Sequence, residues 1–274
     1  MLEVYILSVL HSGINEAKKL EQYIERCDIY SPECAASSKD IAEADESMWE
    51  IALSNKAHAK NAYRLLLRDY QVNSIDVNEF INKKFELLQK YKKSLWYLER
   101  FSQEESKQLK RFYFDADKIA IVSHNCLKNG DINKFIELSF LSYEIYNKLN
   151  TIRDDHIREN LRSVEFDIRK RYPYLSDKEK IVLSIDIGYS HKISGINFPI
   201  IMHVHKLSDE NIYEKIQNSL QDGKYMEDLR CELLLDGALD ILRSRGRLVD
   251  EKYLAKMSES EIINYLHSED LIKQ

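Results

Sequence analysis

The apolar positions at the start of the chain run together rather than alternating. In "EVYILSVLHSG", seven of the nine residues after Met1 are apolar or tyrosine. That is the composition of a strand covered on both faces, and it predicts a first strand over residues 3–10. The period then changes: "INEAKKLEQYIERC" sets Ile14, Ala17, Leu20, Tyr23 and Ile24 on one face of a helix of about four turns. "DIYSPEC" follows as a second short strand. Strand, helix and strand together predict a parallel, right-handed βαβ unit.

From about residue 38 to 170 the pattern is helical, with almost no strand signal. "MWEIALSNKAHAKNAYRLLLRDY" spaces Trp49, Leu53, Ala57, Tyr63, Leu66 and Leu67 for one helical face, and "VNEFINKKFELLQKYKKSLWYLERF" repeats the pattern. A helical hairpin follows, turning at "NGD", where Gly130 suits the left-handed position that ends one helix and Asp131 suits the cap of the next. Strand composition returns in "EKIVLSIDIGYSH", through Ile181, Val182, Leu183, Ile185 and Ile187, and once more in "FPIIMHVHKL". The segment from about 208 to 270 is helical again. The expected fold is a helix-rich α/β domain over residues 1–274. Its mostly parallel sheet carries a large helical insertion, about 38–170, between the second and later strands.

Composition agrees with that picture. Seven glycines and three prolines are few breakers for 274 residues, as long helices require, and a hydrophobic content of 44% is ample for a core. The net charge of −6, with both signs interspersed, provides no continuous cationic surface for a phosphate backbone, so no nucleic-acid partner is expected. Cys27, Cys34, Cys126 and Cys231 are scattered without a CxxC pair and read as free thiols. No apolar run approaches the length of a membrane span, and the start shows neither a basic region nor a cleavage site. The expected location is the cytoplasm. There is no phosphate-binding glycine loop and no GxSxG elbow, which sets aside nucleotide chemistry and conventional serine hydrolysis.

Chemistry concentrates where strands end. The first strand closes in Ser8-x-x-His11 and a later one in Gly188-x-x-His191, while "DIYSPEC" delivers Glu33. In a parallel sheet the carboxyl ends of strands share one edge, where ligands usually bind. Two imidazoles and a carboxylate suit a divalent metal site (His11, Glu33, His191) or an acid/base set without metal, and chemistry alone does not choose. The plain alternative is a pair of strand caps. "TIRDDHIRENL" adds Arg153, able to hold an anion or a developing oxyanion, and Asp154, able to orient a histidine; the same charges also suit a solvated helix face. His203 and His205 of "HVH" share a strand face and suit either a metal or, with more weight, an exposed edge strand.

The stretches "LSVLHSG", "CDIYSPEC", "CLKNGDINKF", "IRDDHIREN" and "IDIGYSH", in this order over residues 3–205, resemble the TraB/TIKI and erythromycin-esterase (EreA/ChaN-like) superfamily. The resemblance implies an α/β core with a helical insertion and a cleft lined by His11, Glu33, Arg153 and His191. It also implies a hydrolase of peptide or ester bonds acting on a small molecule or peptide. In that reading His11 and Glu33 activate water, Arg153 stabilises the oxyanion and Asp154 assists, either with a divalent metal (Mn, Co or Zn) on His11, Glu33 and His191 or with a histidine base alone. Ser8 stands where the family's first motif usually has glycine, and the region after His191 is short. These departures motivate the alternative expectation of a binding or regulatory protein that keeps the fold without the reaction.

Overall fold

The computed structural model describes residues 1–9, 13–33, 38–54, 75–188, 191–193, 200–207, 211–245, 247 and 250–273, with no side chains described at 75–77. His11, Cys34 and the helical run predicted through Ala57 to Leu67 lie outside the described residues. The elements in chain order are β1 (Leu2–Ser8), α1 (Gly13–Lys19), α2 (Glu21–Arg26), β2 (Ile29–Ser31), α3 (Lys39–Ser54), α4 (Ile75–Lys90) and β3 (Ser94–Leu95). They continue with α5 (Gln103–Lys128), α6 (Ile132–Leu161), α7 (Val164–Arg171), β4 (Ile181–Ile187), β5 (Ile200–Lys206), α8 (Ile212–Gln221), α9 (Arg230–Ser244), α10 (Glu251–Leu254) and α11 (Glu259–Ser268). Among them no helix is long and apolar enough to cross a membrane.

The fold is α/β. The five strands form one sheet in the order β3-β2-β4-β1-β5, and every pairing is parallel. β1 and β4 lie at its centre, buried along almost their whole length, which is why both read as continuous apolar runs. Leu2, Val4, Ile6, Leu183 and Ile185 face one side, packed with Ile157 and Leu161 of α6 and Val164 and Ile168 of α7. Leu7 and Tyr30 face the other, against Ala17, Leu20 and Ile24 of α1–α2 and Phe80, Phe85 and Leu88 of α4. β5, at the edge, is half exposed.

Two local features depart from the sequence pattern. The helix expected over 14–27 divides at Leu20, where the Leu20 N–H bonds Ala17 O at 3.1 Å and tightens one turn. The helical insertion returns briefly to the sheet, since β3 pairs with β2 through only Ile29–Ser94 and Tyr30–Leu95. Two residues carry no periodicity to read, yet this short return brings the loop after β3 to the carboxyl edge of the sheet.

The chain groups into two compact units, Met1–Gln108 with Thr151–Asp209, and Leu109–Asn150 with Glu210–Gln274. The first holds the sheet. The second has its own apolar core, including Leu127, Phe135 and Ile136, Leu234, Leu239 and Leu242 of α9, and Ile262 and Leu266 of α11. Its α5–α6 turn follows the "NGD" reading. Gly130 has φ +81° and Asp131 Oδ1 accepts the Lys134 N–H at 3.2 Å.

Candidate functional site

Three strand ends and one helix converge on a cluster of charges in the first unit. Glu33 follows Pro32 just beyond β2, Glu99 lies in the loop after β3, and Gly188 and His191 follow β4. Because all these strands are parallel, their carboxyl ends share one edge. Arg153 and Asp154 come from α6.

Arg153 joins two of the carboxylates. Its Nε donates to Glu99 Oε2 at 2.7 Å, and its Nη2 donates to Glu99 Oε1 at 2.6 Å and to Glu33 Oε1 at 2.8 Å. Ion pairs this deeply buried persist because each charge has a partner and hydrogen bonds replace the lost water. Glu33 Oε2 in turn accepts the Gly188 N–H at 2.6 Å, which ties the ends of β2 and β4 together.

His191 connects the rest. Its Nδ1 bonds Asp154 Oδ1, its Nε2 lies 3.2 Å from Glu33 Oε1, and Asp154 Oδ2 accepts the Lys192 N–H at 2.7 Å. Burial pushes the imidazole pKa down, and Arg153 adds to that effect. Hydrogen bonds to Asp154 and Glu33, with the attraction of the Glu33 charge, outweigh both and hold it at about 9. His191 is therefore an imidazolium at neutral pH, donating through both ring nitrogens. Glu33 is the most exposed member of the cluster, its side chain 15% exposed against 6% for Arg153, 4% for Asp154, 3% for Glu99 and 1% for His191.

Four of the five expected catalytic residues, Glu33, Arg153, Asp154 and His191, thus meet in one network, while His11 lies outside the described residues. Asp154 bonds the His191 imidazole and is buried, so it does not lie on a solvated helix face. Arg153 spends its Nε and Nη2 on two carboxylates, so it acts on Glu33 and Glu99. Three further charged residues were not singled out in the sequence. Glu99, in "WYLER", resembles any loop carboxylate. Lys84 of α4 and Asp186 of β4 form a buried ion pair at 2.8 Å, their side chains 1% and 0% exposed. A lone acid inside the apolar run "IVLSIDIG" was the available clue, because a carboxylate there requires a buried partner.

The "HVH" pair sits on the edge strand β5. His203 Nε2 lies 3.1 Å from Glu3 Oε1, and its ring stacks on Tyr5 with centroids 4.7 Å apart. Among the described residues, no group of three His, Cys, Asp or Glu side chains is arranged to hold a metal ion. The two expected ligands that are described do not suit that role as they stand. Glu33 Oε1 accepts from the Arg153 guanidinium, and both ring nitrogens of His191 are turned to carboxylates, Nδ1 to Asp154 and Nε2 to Glu33. The described cysteines, Cys27, Cys126 and Cys231, are unpaired. Comparison with known proteins finds no match to a family model, a curated protein or a solved structure.

Proposed function

We propose that the chain is a hydrolase of the TraB/erythromycin-esterase type, cleaving an ester or peptide bond in a small-molecule or peptide substrate, with Glu33 as the catalytic residue. The observation carrying this reading is the graded burial of the cluster at the carboxyl edge of a parallel sheet. Glu33 alone retains appreciable exposure, and donors from Gly188, Arg153 and His191 hold it in place.

In this scheme Glu33 accepts a proton from the attacking water as the new C–O bond forms at the substrate carbonyl carbon. It returns that proton to the leaving alkoxide or amine as the old bond breaks. Arg153 and the His191 imidazolium position the carboxylate, and Asp154 fixes the imidazole orientation.

The test uses chromogenic esters, lactones and a fluorogenic peptide library with the native protein and Glu33→Gln, which preserves shape and removes the base. Turnover in the native protein that falls by about a hundredfold or more in the variant supports the scheme. Equal turnover in both removes Glu33 from the chemistry. A second reading, a binding or regulatory protein without the reaction, is favoured by the mutual pairing of the described charges. Absence of native turnover on all three bond classes assigns the cluster to that reading.

A further inference from the structure

The second unit contains a cavity of about 300 Å³ among α5, α6, α8 and α9, formed without any residue of the cluster above. Its lining is unusual in hydrogen-bonding character. Ser142 donates to Ala116 O at 3.2 Å, Ser123 donates to Ala120 O at 2.8 Å, and Ser139 donates to Ser123 at 3.2 Å. Tyr143 donates to Asp236 Oδ2 at 2.5 Å, and Tyr146 donates to Asp117. Five hydroxyls of the wall have thus placed their protons on protein acceptors and offer a ligand only lone pairs.

The charges agree with that polarity. Asp236 and Asp240 present carboxylates to the cavity one helical turn apart on α9. Arg243, on the same wall, is engaged by Glu251 and lies 3.9 Å from Asp240. Burial, with Lys128 adding to it, pushes the His124 pKa down, so that imidazole brings no competing positive charge at neutral pH. Tyr143 and Tyr213 bring their rings together at 5.3 Å between centroids, with Tyr146 on the same wall. Aromatic faces beside a carboxylate are the surroundings that favour an organic cation.

We infer that this cavity binds a small organic ammonium ion, held by the Asp236 carboxylate and walled by Tyr143, Tyr146 and Tyr213. The ligand supplies donors to the lone pairs of those five hydroxyls and a positive charge to the two carboxylates. Without a ligand, burial and repulsion from Asp240 push the Asp236 carboxyl up to about 7, an energetic debt that a bound cation relieves.

The test is calorimetric titration of the full chain with choline, with n-butylammonium, and with the uncharged choline isostere in which tert-butyl replaces trimethylammonium. Saturable binding of at least one cation is expected. Asp236→Asn should weaken it about tenfold or more, and the isostere should not bind. If Asp236→Asn does not fold by circular dichroism, Asp240→Asn replaces it. The Asp240 side chain is 58% exposed and its loss should weaken binding about threefold. No saturation by either cation, binding unchanged by the carboxylate substitution, or equal binding of the isostere overturns the inference.

Discussion

His191 couples the fold to pH. Its imidazole is held at about 9 in the folded chain against an ordinary value of 6.5. Folding therefore raises its affinity for a proton. The stabilisation is fully present below about 6.5, declines as pH rises through about 9, and is absent above that window. A difference of this size corresponds to about 3 kcal/mol. His191→Gln, which cannot titrate, should lose that pH dependence. Urea denaturation at a series of pH values between about 6 and 9.5 should show the native advantage over the variant narrowing by about that amount. A constant gap would mean that the imidazole is neutral in the fold and that Asp154 and Glu33 do not hold a cation between them.

At the scale of elements, α9 shows how a rule of helix propensity is overridden by packing. Gly237 lies in its interior, where alanine is ordinarily better by about 1 kcal/mol. A Cβ at this position would stand 2.4 Å from Phe135 Cζ and 2.8 Å from Leu127 Cδ2, and both side chains are buried in the core of the second unit. Overpacking of this kind costs about 1–3 kcal/mol, so Gly237→Ala should destabilise despite its helical preference. Denaturation followed by circular dichroism checks the sign, and an unchanged or higher stability would show that the Phe135 ring swings aside. The same competition decides what the sequence could reveal. β1 and β4 were legible because strands buried on both faces read as unbroken apolar runs, and "IGYSH" and "SPEC" place their chemistry at strand ends. β3 was not legible, because two residues have no period, and Glu99 depends on β3 for its position. Lys84 was hidden as well: on a helix rich in lysine and glutamate, a cation that turns inward resembles its solvated neighbours.

The whole molecule offers a way to separate its two units experimentally. Each has an apolar core of its own, and both tryptophans of the chain, Trp49 and Trp96, belong to the first. Tryptophan fluorescence therefore reports on the first unit, while far-ultraviolet circular dichroism reports on the helices of both. Two substitutions perturb the units separately. Lys84→Met leaves the Asp186 carboxylate buried without that cation, a change that costs about 3–5 kcal/mol, and it acts on the first unit. Gly237→Ala acts on the second. With separate cores the expected behaviour is non-coincident unfolding. Lys84→Met should lower the fluorescence midpoint and leave a dichroism component unfolding at its native position, and Gly237→Ala should move dichroism while fluorescence stays. Coincident shifts of both probes in both variants would mean that the two cores unfold as one cooperative structure. In that case a ligand bound in the cavity of the second unit would stabilise the Glu33 cluster as well, since anything that binds the folded state alone shifts a two-state equilibrium as a whole.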